Sequence, residues 1–401
     1  MNKNDWIIEF VVNEDNISFL YDSVFTAKHS NGLLEVSVKY DYSDVPLLLS
    51  AECVEGDKAK LINRTFRLEL YVNDILWDEE WPYGNHYISS AMLTELNARS
   101  LTEADAPPDV PTTISFNPHG WKPSRRIFVG DCMPFTDGNT FHVFYLRDRR
   151  NHNSKWKKGG HQWAHIKTDD LINWYECPLA LKIENMEEGS FCTGSVVKHN
   201  GVYYAYYAVR TMDGSPARLG YATSSDADVF IKSSDFFTLA SPYNSVNARD
   251  PKAFINDRGE INLLITTSLM NGDIGRGCLA RVVSKDAKEW RTVRPFALLD
   301  IEDEPECSDY FEYNGFYYLV YSNYGTGHYF YSKNPEGPWS TPEANVIMDE
   351  SLRVPKAAVW KNRLFFVGFI SEGGYGGKMH FCEAKQAKNG TLEFIDVPEM
   401  L

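Results

Sequence analysis

Three carboxylates stand out by their distance from turn signals. Glu306 lies nine residues before Gly315, Asp250 nine before Gly259, and Asp131 seven before Gly138. Each glycine leads into an aromatic-rich strand, so each acid falls on the strand before it. A lone acid among 55 is usually a solvated surface charge. Three at comparable places in a repeat converge if the repeats surround an axis. Crowded carboxylates raise at least one pKa, so one stays protonated while another ionises. Cleavage of a glycosidic bond uses such a pair. The matching places in two further repeats fall near Cys192–Thr193 and Arg353.

The repeat that would position these acids runs from about residue 125 to 395. Its aromatic strands and their turns are DGNTFHVFYL, HNGVYYAYYA, DRGEINLLIT, YNGFYYLVYS and WKNRLFFVGF. A second strand follows each, as in RLGYATSSD and HYFYSKNPEGPW. Asn-Gly and Asp-Gly between apolar runs signal hairpins. A spacing of roughly 50–60 residues suits propeller blades of four strands each. The expected fold is therefore all-β: a five-bladed β-propeller over residues 120–401. A β-sandwich alone also gives many short strands, but not five copies in phase. Residues 1–110 alternate apolar and polar in short strands, as in LLEVSVKYDY, and predict a separate N-terminal β-sandwich. A turn or two of helix is expected at most, at SSAMLTELNAR, and ADAPPDVPTT (104–113) reads as a linker.

Bulk properties narrow the function. The chain has 401 residues and a net charge of −15, which disfavours nucleic acid and anionic membranes as partners. An aromatic content of 14% suits β structure and sugar-stacking surfaces. MNKNDWIIEF has no signal-peptide pattern, and no run is long enough to span a membrane. Seven scattered cysteines without a CxxC pair predict neither a disulfide framework nor a zinc site. The expectation is a cytoplasmic protein acting on a small carbohydrate, with no cofactor and no metal. Oligomeric state is not legible.

Several strings resemble glycoside hydrolase family 32, the invertase, inulinase and levanase group. GDCMPF (130–135) stands where that family has its Asn-Asp-Pro-Asn-Gly box, and CTGSVV (192–197) resembles its Phe-Ser-Gly-Ser box. NARDPKAF (247–254) holds an Arg-Asp-Pro box, ECSD (306–309) resembles the Glu-Cys box, and HQWAHIKTDDLINWYECPLAL (161–181) resembles the Trp-Gly-His stretch. In order, these cover the whole repeat region. The concanavalin-like N-terminal strands stand in place of the family's C-terminal sandwich. The resemblance implies Asp131 as nucleophile of a retaining β-fructofuranosidase, Glu306 as general acid then base, and Asp250 as transition-state stabiliser. It also implies Arg249, Trp163, Cys192, Thr193 and Leu146 at the substrate, with Arg249 setting the charge state of Glu306 or Asp250. A structural salt bridge is the plainer reading of Arg249.

The departures concern the sugar pocket. Gly130 replaces the Asn before the nucleophile, Cys132, Met133 and Pro134 replace Pro-Asn-Gly, and Leu146 replaces a sugar-binding amide. An inverting arabinofuranosidase or xylosidase of the related five-bladed families, which also order their acids Asp, Asp, Glu, is the alternative enzyme. A non-catalytic sugar-binding propeller is the third reading. RDRRNHNSKWKKGGH (147–161) reads as a solvated basic loop or as a phosphate site for a sugar phosphate. SEGGYGGKMH (371–380) reads as a flexible loop at the channel mouth.

Overall fold

The computed structural model describes residues 6–12, 25–40, 43–64, 67–81, 99–101, 109–149, 160–184, 188–210, 215–272, 274–299, 301 and 303–400. Among them every regular element is a strand, apart from a 3-10 turn at Pro398–Met400. The helical turn expected at SSAMLTELNAR lies almost wholly outside the described residues; only Arg99 is described, and it begins a strand.

The first eight strands are β1 (Trp6–Val11), β2 (Phe25–Ser30), β3 (Leu33–Tyr40), β4 (Ser43–Glu52), β5 (Lys58–Arg64), β6 (Arg67–Val72), β7 (Ile75–Glu80) and β8 (Arg99–Leu101). They form a five-stranded sheet, β7-β6-β5-β1-β8, and a three-stranded one, β2-β3-β4. β4 lies against β6 and β7. Leu34, Val36 and Leu49 of one sheet and Leu61, Leu68 and Leu70 of the other are fully buried. Alternation along β3, where Leu34 and Val36 turn inward and Leu33, Glu35 and Ser37 do not, is the period of a strand with one buried face.

The short β9 (Thr112–Ile114) comes next, and then five antiparallel meanders. The first comprises β10 (Ile127–Thr136), β11 (Phe141–Arg149), β12 (Gln162–Thr168) and β13 (Trp174–Leu181). The second comprises β14 (Ser190–His199), β15 (Val202–Arg210), β16 (Arg218–Ser224) and β17 (Ile231–Phe237). The third comprises β18 (Arg249–Ile255), β19 (Ile261–Asn271), β20 (Ile274–Ser284) and β21 (Arg291–Leu298). The fourth has β22 (Glu306–Tyr313), β23 (Phe316–Asn323) and β24 (Thr326–Ser332). The fifth has β25 (Leu352–Trp360), β26 (Arg363–Ser371), β27 (Gly377–Gln386) and β28 (Leu392–Ile395). β9, which straddles the end of the expected linker, pairs with the outer edge of β13, Trp174 opposite Ile114 and Tyr175 opposite Thr113. The end of that segment is therefore sheet, not tether.

The aromatic strands are buried on both faces, and their alternate residues enter different cores. Phe141, Val143 and Tyr145 of β11 pack with Phe365, Val367 and Phe369 of β26. Phe144 and Leu146, on the other face, pack with Ala205, Tyr207 and Val209 of β15. Tyr206 and Ala208 then join Ile261, Leu263 and Ile265 of β19, while Leu264 joins Leu319 and Tyr321 of β23. Tyr318 and Val320 meet Leu364 and Phe366 of β26. Each meander thus shares one core with the meander before it and one with the next, and the series returns to its start. Burying each large side chain contributes about 1.5–3 kcal/mol. The leading strands close the same cycle: β10 touches β14, β14 touches β18, β18 touches β22, β22 touches β25, and β25 touches β10.

A turn device also recurs. Asp170, Asp226 and Asp286 each accept hydrogen bonds from the backbone N–H two and three residues on. Thr168, Ser224 and Ser284 cap the same turns. These short side chains compete with the ladder for backbone donors, which ends the strand before them.

Candidate active site

All five leading strands break register at the same depth. The ladder skips between Val129 and Cys132, Phe191 and Gly194, Arg249 and Lys252, Glu306 and Asp309, and Arg353 and Lys356. Each skip is a bulge that frees two residues from pairing and re-aims their side chains. Asp250, Cys307 and Val354 occupy the same bulge position, and all three are left-handed, with φ of 54°, 50° and 49°. Such a conformation is uncommon for non-glycine residues and rarer still for β-branched Val. The three acids occupy neighbouring positions rather than one shared register. Glu306 is the last paired residue before its bulge, Asp250 the first bulged residue, and Asp131 the second.

These residues line one cavity of about 900 Å³, together with Leu146, Cys192, Thr193 and Arg249. Asp131 is 8% exposed. Its Oδ2 accepts a hydrogen bond from the Thr193 hydroxyl at 2.5 Å, and its Oδ1 accepts one from the Tyr375 hydroxyl at 2.9 Å. Asp250 Oδ2 accepts from the Cys307 backbone N–H at 3.1 Å. The Cys307 thiol lies 3.3 Å from Asp131 Oδ2 and 3.5 Å from Asp250 Oδ2, between the two carboxylates. Burial, reinforced by the charge of Asp131, pushes that thiol well above its usual range, so it remains an S–H donor.

Arg249 ties the acids together. Its guanidinium bonds Glu304 at 2.5 Å and Glu306 at 3.0 Å, and its Nε lies 3.7 Å from Asp250. Burial raises the Asp250 carboxyl, with Asp131 adding to the rise and Arg249 opposing it. Glu306 is raised by burial and then by Asp250, again against Arg249. The Glu306 side chain is 41% exposed, open to an incoming group, whereas Asp250 is at 5%. The cavity thus holds one partly exposed, protonatable carboxyl, Glu306, and two buried, bulged ones, Asp131 and Asp250. That arrangement can protonate a leaving oxygen and present a second oxygen to the atom it leaves.

Trp163 does not touch this space. It is fully buried in the core between the first two meanders, and its indole N–H donates to the Cys192 carbonyl at 2.9 Å. Leu146 and Trp163 are paired across β11 and β12 and share one face and one core, but only Leu146 reaches the cavity; Trp163 lies beneath Cys192, in a supporting place. The basic stretch is also corrected where it is described. Arg149 pairs with Asp78 and Glu80, Arg147 with Glu79 and Glu176, and His161 with Asp148. The two guanidinium groups are buried against β7, neither solvated nor free for phosphate, while His161 lines the cavity. Residues 150–159 lie outside the described residues.

Sequence reasoning passed over Glu304 and Tyr375. Glu304 is 6% exposed and bonds Arg249 and Ser268, yet in DIEDEPE nothing marks which acid turns inward. A single aromatic amid glycines was the available signal for Tyr375. For metals, among the described residues only His142, His165 and Asp228 form a group with ligand atoms within 4.8 Å of one another. None lines the cavity. The two imidazoles face each other at 3.0 Å as hydrogen-bond partners, which suits a shared proton better than an ion.

Comparison with known proteins places the chain in a family. The model of the glycosyl hydrolases family 32 N-terminal domain matches residues 133–345, more than half of the chain. The chain belongs to glycoside hydrolase family 32. The matched span holds Asp250 and Glu306 and begins two residues after Asp131. Sucrose-6-phosphate hydrolase of Escherichia coli is 28% identical over 221 residues, covering 52% of this chain and 42% of that one. The chain thus matches less than half the length of that relative. Fructan 1-exohydrolase IIa from Cichorium intybus superposes with a TM-score of 0.57 at 16% identity, covering 72% of this family 32 chain and 61% of the other. CoXyl43, a family 43 β-xylosidase/α-arabinofuranosidase from a compost microbial metagenome, gives 0.53 at 15%, covering 71% and 99%. Both likenesses concern the fold.

Proposed function

We propose that this family 32 protein is a retaining β-fructofuranosidase acting on sucrose, sucrose phosphate or a fructo-oligosaccharide. The observation that carries the reading is the convergence of Asp131, Asp250 and Glu306 on one cavity, with Arg249 between the last two. In this reading Glu306 gives its proton to the glycosidic oxygen while Asp131 attacks the anomeric carbon, so that C–O bond breaks and a fructosyl ester forms. Glu306, now ionised, takes a proton from water, the water oxygen attacks the same carbon, and Asp131 leaves as carboxylate. Asp250 accepts hydrogen bonds from the sugar hydroxyls. The raised Glu306 carboxyl supports its part, because a general acid must hold its proton at the working pH.

The scaffold is a five-bladed β-propeller over 120–401 joined to a concanavalin-like sandwich over 1–110. The cyclic sharing of five cores and the contact of β4 with β6 and β7 support it. Seven buried thiols support a reducing, cytoplasmic setting. Of the two guanidinium groups lining the cavity among the described residues, Arg249 is held by carboxylates. Arg353 bonds carbonyl and hydroxyl oxygens and is the one open to a substrate phosphate.

The test is the release of free sugar from sucrose, sucrose 6-phosphate, inulin, levan, difructose anhydrides and aryl arabinofuranosides. Turnover of a fructoside with retained anomeric configuration, read by proton NMR, is the expected result. Apolar Leu146 in the cavity and the fit to CoXyl43 favour one second reading, an inverting pentosidase. Turnover of aryl arabinofuranosides alone, with inverted product, would establish that reading instead.

A further inference from the structure

The glycine-rich stretch between β26 and β27 carries one bulky side chain, and it lands on Asp131. The Tyr375 hydroxyl donates to Asp131 Oδ1 at 2.9 Å and accepts the Asp131 backbone N–H at 3.1 Å. The phenol therefore grips both ends of the residue, from the opposite side to the Thr193 hydroxyl on Oδ2. Burial keeps the phenol far above its usual range, so it stays a donor.

The space for the ring exists because residue 130 has no side chain. A Cβ at Gly130 would stand 2.6 Å from the Tyr375 hydroxyl oxygen and 3.0 Å from two of its ring carbons. Any larger residue there must displace the phenol. The loop is built to hold it. Gly374 and Gly376 take φ of 153° and 78°, the Ser371 hydroxyl donates to the Gly374 carbonyl, and the Glu372 N–H donates to the Gly376 carbonyl at 3.3 Å. Phe369 meets the ring edge to face at 5.5 Å, and His161 flanks it at 5.3 Å. Lys122 holds Glu372 at 2.5 Å.

We infer that Tyr375 is the positioning residue of the nucleophile, and that Gly130 and Tyr375 form a matched pair in which the missing side chain of one admits the phenol of the other. The inference rests on the proposed role of Asp131. With Thr193 on Oδ2 and Tyr375 on Oδ1, the carboxylate plane is fixed before substrate arrives. A mobile carboxylate would have to be ordered during the reaction. The stretch that reads from sequence as a flexible loop is then a fixed part of the site.

The test compares wild type, Tyr375→Phe, Gly130→Ala, the double variant and Asp131→Asn in the full chain, on whichever sugar is turned over. Tyr375→Phe keeps the ring and removes only the hydroxyl. Loss of orientation should lower its kcat by about 10- to 100-fold. KM and the melting temperature should stay near wild type, since the phenol holds the carboxylate rather than the sugar. Gly130→Ala should lose kcat to a similar degree. The double variant should be no worse than about twofold below the poorer single one, because both act through the same contact. Full kcat in Tyr375→Phe, with Asp131→Asn inactive, would overturn the positioning role and leave the site assignment standing. Multiplying losses in the double variant would overturn the pairing. Turnover by Asp131→Asn would overturn both the inference and the reading beneath it.

Discussion

Arg147→Met should be among the most damaging substitutions outside the cavity. Arg147 is 6% exposed on β11, beside Leu146. Its guanidinium makes a two-pronged contact with Glu79 of β7, with Nη2 3.0 Å from Oε2, and bonds Glu176 at 2.7 Å. At such a distance and an effective dielectric of ~20, the gross attraction is about 5 kcal/mol, most of it offset by desolvation. Removing one partner is a different matter, because the other is left charged and dry, at a cost of about 3–5 kcal/mol. Burial already raises the Glu79 carboxyl and Arg147 is the main force opposing that rise, so in the variant Glu79 takes up a proton. The penalty should therefore shrink as pH falls. The assay is urea unfolding followed by tryptophan fluorescence, with Trp81, whose indole N–H donates to the Gly160 carbonyl, as a reporter of the same seam. Adding Glu79→Met should recover at least about 1 kcal/mol relative to additivity. A single-variant loss below about 1 kcal/mol, the range of a surface pair, would refute the reasoning. So would strict additivity.

Three further outcomes follow from the site. Glu306→Gln should cut turnover by about 10²–10⁴-fold, and Asp131→Asn by at least as much, with circular dichroism unchanged; near-native rates in either would remove that residue from the mechanism. Asp250 has a raised pKa in the fold, so its ionised form opposes folding progressively as pH rises from its usual value through the raised one. Asp250→Asn should thus be inactive yet more stable at neutral pH, by roughly 0.5–2 kcal/mol in calorimetry, with the gain vanishing in acid. Arg249 opposes the rise at Glu306, so Arg249→Gln should move the alkaline limb of the kcat/KM profile to higher pH; a limb that stays put or moves down counts against that coupling.

The aromatic strands were legible because their signal is redundant. A turn pair, an alternating run and a second strand recur five times, and β11, β15, β19, β23 and β26 fall where those strings stand. The acids were legible as a group but not in detail. Counting back from Gly315, Gly259 and Gly138 suggests one register, whereas Glu306, Asp250 and Asp131 sit at three successive positions around their bulges. An inserted residue leaves no mark in composition or period. The Asp78–Glu79–Glu80 run was unreadable for another reason. Three acids in a row look solvated, and it is chiefly the guanidinium groups of β11, some 70 residues away, that make their burial tolerable. Trp163 sits in a stretch that resembles the family's Trp-Gly-His stretch, but resemblance does not say how deep a side chain of β12 is buried.

The shared bulge has a consequence for how such molecules diversify. A side chain inside a ladder is constrained by the cores on either side, and replacing it disturbs packing that the whole ring depends on. The residues at each skip are exempt: they owe nothing to pairing, and at every skip at least one of them faces the common cavity. Five strands thus offer a set of interchangeable fittings on an unchanging frame, which here carry Asp, Thr, Cys and Val side by side. A descendant could exchange its two bulged acids, Asp131 and Asp250, for neutral residues and keep its shape, or acquire a new bond-breaking habit by rewriting fewer than a dozen letters. Lineages built this way should contain folded but silent members, and silence in one of them would be readable at these positions before any assay was run.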